Sequence, residues 1–278
     1  MRSNAPALLR LIKLLTHNNV KGSGRLLEAC RPCWVDDTVI YALSSSVSLA
    51  VPIGRVEQCW DLHDIFEYEN ALVELFCSNL ESQSSVTLVD CGADIGLFSA
   101  VVCSRCDRIV RVVAFEPNPT IQSIFRRNIE ALPSGEPYAS AVSSFEGFGR
   151  LDNPLYDDTD QGRYLVPTQS GITVRTLDSL NIFGGSIAIK IDVEGGELDV
   201  LHGASKTIRR ASQCVLSLEA HPKVVGRTNI KPSACMEFLT SIRPFRFTVA
   251  ETRRVVGPTD DVVDPVRVLN VVAVTVND

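Results

Sequence analysis

Three features of the sequence predict an α/β fold built on a mostly parallel sheet with helices on both faces, preceded by an N-terminal helix and hairpin extension. From residue 86 onward, apolar segments of strand length alternate with segments of helical periodicity, the pattern of strands covered on both sides. Several of these strands end in a glycine turn or an acidic residue, at the end where such sheets bind ligands. The chain has 278 residues, 45% hydrophobic and 22% charged, enough for one such domain with additions.

In chain order, residues 1–60 read as a basic helix and strand extension and residues 61–278 as the main domain. Residues 1–33 carry Arg2, Arg10, Lys13, Lys21, Arg25 and Arg31 against the single acid Glu28. The apolar run over 7–15 is broken by Arg10 and Lys13, with no small-residue cleavage site after it. It is too short to span a bilayer and a poor signal peptide. It is expected as an amphipathic helix packed on the domain or on a partner subunit rather than on a membrane surface.

Residues 39–51 suggest a hairpin. Ile65, Phe66, Leu72, Val73, Leu75, Phe76 and Leu80 predict a helix over 64–80. Strands are expected at 86–91, 109–115, 138–142, 187–191, 214–218, 245–249 and 268–276, and helices at 96–104, 119–131, 197–210 and 232–242. The Gly-, Asp- and Pro-rich interval 145–175 breaks this rhythm and reads as an inserted hairpin over one end of the sheet, near the acceptor site.

A net charge of -6 argues against a nucleic-acid partner, which calls for surplus Lys and Arg, and favours a small-molecule or glycan acceptor. Oligomeric state is not legible. Nine cysteines without a secretory signal suggest a reducing, cytoplasmic setting and no disulfide framework. The pairs Cys30/Cys33 and Cys103/Cys106 could offer zinc four thiolates, but their wide separation favours ordinary thiols.

The strand ends carry the chemistry. After the first strand, Asp90, Gly92, Asp94 and Gly96 form a tight turn in which glycines admit close backbone approach and Asp90 offers an acceptor. The dinucleotide fingerprint and the P-loop are both absent. Asp94 would repel phosphate, whereas a ligand ammonium would suit Asp90. Glu116 ends the second strand, where a carboxylate can hold a ribose diol. Asn118 and Pro119 suit a helix start.

The fourth strand ends in Asp192, followed by Glu194, Glu197 and Asp199. Glu197 and Asp199 complement a helix N-terminus. Glu194 either caps the turn at Gly195 and Gly196 or faces a ligand. Asp192 ends a buried strand, where a carboxylate needs a partner. The next strand adds Glu219 and His221 to the same rim. Asp192 and Glu219 could share a divalent cation or orient an acceptor hydroxyl, and with two evident ligands the metal-free version is preferred.

The segments VDCGADIG (89–96), AFEPNP (114–119), RTLDSL (175–180) and IKIDVEGGELDVLHGA (189–204) resemble the FkbM family of S-adenosylmethionine-dependent methyltransferases. The resemblance implies a class I methyltransferase fold, Rossmann-like, with residues 61–278 as its domain. It also implies that Asp90, Gly92 and Gly96 border the cofactor's methionine part and that Glu116 holds the ribose. Asp94, Asn118, Ser143, Asp192 and Glu194 complete the expected cofactor-binding set, and Asp192, Glu219 and His221 the catalytic set. Asp94 stands where the family commonly has Asn, and Ser143 and Ser144 where it has an acid. The expected reaction is O-methylation of a sugar-like or secondary-metabolite hydroxyl. The rival is a non-catalytic methyltransferase-like module that binds a nucleoside or a partner.

Overall fold

The computed structural model describes residues 5–34, 38–53, 62–152, 164–182 and 185–276. Helices α1 (Ala7–His17) and α2 (Ser23–Cys30) precede a hairpin of β1 (Thr38–Ala42) and β2 (Ser48–Pro52). Leu9 and Ile12 of α1 and Val39, Leu49 and Val51 of the hairpin are buried in one core with Val86, Leu88 and Val112 of the main sheet. Lys13 is buried too, and its Nζ donates to the Tyr41 hydroxyl at 2.9 Å.

The helix expected over 64–80 is broken. α3 (Leu62–Glu67) and α4 (Asn70–Ser78) are separated by Glu69, whose φ of 47° is left-handed. The break sets Glu69 near buried Lys190, their charged atoms 3.8 Å apart.

The main sheet is then laid down by β3 (Val86–Cys91), α5 (Leu97–Arg105), β4 (Ile109–Phe115), α6 (Gln122–Glu130) and β5 (Gly135–Tyr138). The single strand expected at 138–142 proves to be two. β5 stays in the main sheet, while β6 (Ala141–Val142) joins a second sheet with β7 (Gly147–Asp152), β8 (Tyr164–Thr168) and β9 (Ile172–Arg175), in the order β6-β9-β7-β8. β7 and β8 form the expected hairpin of the insertion, part of which, at 153–163, lies outside the described residues.

β10 (Ser186–Ile191) returns to the main sheet, followed by α7 (Glu197–Gly203) and α8 (Ser205–Arg210). These replace one expected helix because Asp178 supplies a second cap. Its carboxylate accepts from the Lys206 N–H at 3.0 Å and from the Thr207 N–H at 2.8 Å. β11 (Gln213–Ala220), α9 (Pro222–Thr228), α10 (Pro232–Ile242), β12 (Phe245–Val249), β13 (Val255–Val256) and β14 (Leu269–Thr275) complete the chain.

The large sheet runs β13-β12-β14-β11-β10-β3-β4-β5, with β5, β4, β3, β10 and β11 parallel and β14 antiparallel between β11 and β12. Strand order reverses at the β3/β10 seam, and a core lies on each face. This is the Rossmann-like, mostly parallel architecture expected of a class I methyltransferase. No helix among the described residues is long and apolar enough to cross a membrane. Cys103 and Cys106 are buried free thiols while Cys33 is exposed, so the two CxxC pairs do not form a shared zinc set among the described residues.

Asn128 on α6 couples the extension to the sheet. Its side chain accepts from the Ala50 N–H at 2.9 Å and donates to the carbonyls of Ala50 at 2.8 Å and Ile95 at 2.7 Å. The site is buried, so truncation leaves Ala50 polar groups unpaired. Asn128→Ala is expected to lower unfolding free energy by about 2–4 kcal/mol in urea denaturation.

Candidate active site

A cavity of about 680 Å³ opens at the carboxyl ends of β3, β4, β10 and β11, the place where open α/β sheets bind ligands. Its lining includes Gly92, Asp94, Glu116, Asn118, Ser143, Asp192, Glu194, Glu219 and His221. Nine of the expected site residues therefore meet in one space. Asp90 and Gly96 stand behind the lining.

The turn after β3 is fixed by close backbone approach. Gly92 has φ 84°, and a Cβ there would lie 1.8 Å from the Asp192 carbonyl oxygen. Only glycine fits this seam. Gly92 and Ala93 both donate to the Phe115 carbonyl, at 3.0 and 2.9 Å. Gly96, φ 84°, has a conformational and packing reason, since its Cβ would lie 2.9 Å from Ile129 Cδ1.

Glu116 joins the two strand-end loops. Its carboxylate accepts the Asp94 N–H at 3.0 Å and the Asn118 N–H at 2.7 Å. Asn118 in turn caps the following helical turn by accepting from Thr120 N–H. Beside them, Ser140 also lines the cavity. Its buried Oγ has no hydrogen-bond partner among the described residues.

The floor is an ionic cluster that sequence reasoning only half located. Lys190, 4% exposed near the carboxyl end of β10, donates to Asp192 Oδ2 at 2.7 Å and lies over the Phe98 ring at 5.1 Å. Burial acts to strip its proton, but the charges of Asp192 and Glu69 prevail and hold its pKa well above the ordinary lysine value. Glu69, Asp192 and Glu219 offer carboxylate oxygens within 4.8 Å of one another. The third acid, Glu69, was not foreseen.

Burial, with like charge from Asp192 and Glu194, pushes Glu219 up to about 9. Burial likewise raises Glu69 and Tyr68. Asp90 is fully buried and accepts from Ser99 Oγ at 2.6 Å, while its Oδ1 has no hydrogen-bond partner among the described residues. Burial raises its pKa against the opposing influence of Lys190. A cation inside an apolar strand was a visible signal for Lys190; Glu69 gave none.

At the far wall, the cap of the Gly195 turn is Glu197, whose Oε1 accepts the Gly195 N–H at 2.9 Å. Glu197 thus adds a turn cap to the helix-dipole role expected of it, and Glu194, for which a cap and a ligand-facing role were both open, lines the cavity. Glu194 has φ 57°, and its carbonyl accepts from Arg227 Nη2. His221 caps α9, its Nδ1 accepting the Lys223 N–H at 3.1 Å. That ring nitrogen is therefore engaged in a structural bond. Asp199 accepts from Ser144 Oγ at 3.2 Å and also lines the cavity. Phe145, Leu151, Tyr164 and Leu165 of the insertion cover the same space, as do Tyr68 and Arg227. None of these six was singled out by sequence.

The methyltransferase FkbM domain profile matches residues 90–241. The chain is 26% identical over 175 residues to the hexuronic acid methyltransferase AglP of Haloferax volcanii, covering 60% of this chain and 69% of that protein. Among solved structures it is similar to methyltransferase FkbM of Methylobacillus flagellatus, at 20% identity and a TM-score of 0.45 over 68% of this chain. That match spans 44% of the other chain, less than half its length. It is also similar to a precorrin-6y C5,15-methyltransferase of Geobacter metallireducens, at 14% identity and a TM-score of 0.37 over 73% of this chain and 88% of that one.

The cluster has a pH signature. Folded Glu219 holds its proton to about pH 9, whereas the ordinary glutamate value is 4.5. Its contribution to stability is complete below the unfolded value and is lost as pH rises through the folded one. Wild-type protein is therefore expected to lose stability relative to Glu219→Gln between pH 5 and pH 9, read by denaturant titration at both ends. Parallel curves would show that Glu219 ionises normally in the fold.

Proposed function

The chain belongs to the FkbM methyltransferase family, and from that premise we propose that it methylates a hydroxyl oxygen of a sugar-like acceptor with S-adenosylmethionine as donor. The observation that carries this reading is the pairing, in one cavity, of the Glu116 carboxylate at the β4 end with an ionic floor at the β10 and β11 ends. The sugar class is supported by the relative whose name specifies hexuronic acid.

The residues present fit the donor. Asp94, Glu116, Asp192, Glu194, Asp199 and Glu219 line the cavity, against the single guanidinium of Arg227 among the described residues. Such a surface attracts a molecule carrying a sulfonium and an ammonium. Each Glu116 oxygen takes one backbone N–H and retains lone-pair capacity for a ribose hydroxyl. The Ser140 hydroxyl stands at the same wall. When bound, S-adenosylmethionine supplies an electrophilic methyl carbon.

The floor suits the acceptor. A hydroxyl both donates and accepts. Asp192 takes its proton side, while Glu219, protonated at neutral pH, donates to the oxygen. Lys190 fixes the Asp192 carboxylate through the 2.7 Å ion pair, so the nucleophile meets a preset orientation. Lys190 also supplies the positive charge that a metal would otherwise bring to Asp192 and Glu69. That supports a metal-free site. Residues 61–278 form the catalytic unit in this reading, with the insertion at 145–175 covering the acceptor.

Three measurements test it. Glu116→Ala is expected to weaken S-adenosylmethionine binding by about 1.5–3 kcal/mol in calorimetry; unchanged affinity removes Glu116 from the donor site. Asp192→Asn is expected to keep that affinity and lower turnover by ~10²-fold or more, read as S-adenosylhomocysteine release on a panel of glycosides. Full turnover by this variant returns Asp192 to a structural role. Chelation is expected to leave wild-type turnover unchanged, whereas loss on chelation and recovery with Mg²⁺ or Mn²⁺ assigns the three carboxylates to a metal. Donor binding without turnover on any acceptor favours the non-catalytic module.

A further inference from the structure

We propose that Arg227 is a carboxylate-binding subsite on the acceptor side of the cavity, so that the preferred acceptor is an acidic sugar of the uronic acid class. The inference rests on the methyl-transfer reading above for which end of the cavity takes the acceptor.

The first ground is charge. Arg227 is the single Lys or Arg side chain among the described lining residues, and it faces a space lined by six acids. An isolated pair of unit charges at about 4 Å interacts by roughly 4 kcal/mol at an effective dielectric near 20. A carboxylate entering this cavity is therefore repelled from every ionised wall except one. That asymmetry orients an anionic acceptor: its carboxylate goes to Arg227, and its neutral hydroxyls are left to approach the acidic floor. A neutral sugar receives no such instruction, which is specificity by repulsion as much as by attraction.

The second ground is position. Arg227 lies on α9, immediately after β11, whereas Glu116 ends β4. β10 and β3 separate those two strands in the sheet. The guanidinium is thus at the opposite side of the strand-end cleft from the proposed ribose carboxylate. It also lies 5.2 Å from the ring of Tyr164, at the start of β8 in the insertion.

The third ground is how the side chain is held. Nη2 donates to the Glu194 carbonyl, and the guanidinium faces the Tyr164 ring. Gly195, φ 108°, lets α9 pack tightly on this turn and so fixes where the guanidinium stands, since a Cβ there would lie 2.8 Å from Thr228 Cγ2 and 3.4 Å from Arg227 Nη2. A planar fork held in this way suits a carboxylate better than a mobile ammonium would. A purely structural Arg227, pinning the Glu194 turn to the insertion, would affect all acceptors alike.

The test uses the full-length protein and sugar pairs that differ at one position: methyl glucuronoside, galacturonoside and mannuronoside, each against its neutral glycoside and its 6-phosphate. Two readouts run in parallel: the ratio of kcat/KM between uronoside and neutral glycoside, and calorimetric binding to protein saturated with S-adenosylhomocysteine. Wild-type protein is expected to favour at least one uronoside by about 10-fold or more, the scale of charge-assisted hydrogen bonds. Arg227→Gln is expected to bring that ratio close to unity, and Arg227→Lys to retain part of it, with melting temperatures reported beside each. An unchanged ratio in Arg227→Gln, equal binding of charged and neutral sugars, binding of none, or tighter binding of the 6-phosphates overturns the carboxylate subsite. Uronoside binding that depends on Arg227 without methyl transfer upholds the subsite and overturns the methyl-transfer reading instead.

Discussion

The organisation of the site depends on one buried cation. Lys190 sits in the central strand of the sheet, 4% exposed, where an unpaired charge would cost several kcal/mol. Its partners come from different parts of the chain: Asp192 just past the end of the same strand, and Glu69 from the break between α3 and α4. Satisfying that ammonium gathers carboxylates at the ends of β10 and β11. Glu219 is buried among them, and that burial, reinforced by the like charge of Asp192 and Glu194, keeps its proton on to about 9. The resulting mixture, one ion-paired carboxylate beside one protonated acid, arises from neutralising a charge that the sheet could not leave alone.

The same strand ends are held by backbone contacts as well as charge. The Gly92 turn presses against the Asp192 carbonyl, so the first and fourth strands of the parallel core share a seam that admits no side chain. Glu116 ties the neighbouring loops by two backbone N–H groups. Such charge-assisted bonds to main chain are stronger than neutral ones and give the loop a fixed shape before any ligand arrives. The Asn128 side chain extends this rigidity outward, bonding the hairpin and the glycine turn together. The N-terminal extension is therefore part of the scaffold behind the site, sharing a core with the sheet.

Selectivity divides along the cavity. Acids of the turns and strand ends set a field that favours cationic ligands, while the insertion contributes apolar cover through Phe145, Leu151 and Leu165. α9 and the Gly195 turn bring the guanidinium of Arg227 to the far side. A fold of this kind hosts many activities, and what distinguishes one from another lies in these grafted segments rather than in the sheet.

The sequence by itself determined the architecture and the rim. Runs such as 86–91 and 109–115 matched observed strands residue for residue, because burial on both faces leaves an apolar signature that needs no partner to be read, and 245–249 matched through its alternation. The residues at strand ends were equally legible, and nine of those singled out line the cavity. Tertiary structure alone decided the rest. Asp178 divided one amphipathic pattern into α7 and α8 by capping from a distance. The exit after Tyr138 assigned β5 and β6 to different sheets. Glu69, Tyr68 and Arg227 reached the cavity from segments whose local patterns say only helix or turn. The physical reason is that periodicity records whether a residue is buried, whereas a buried charge is defined by the partner it meets, and that partner is chosen when remote segments pack together.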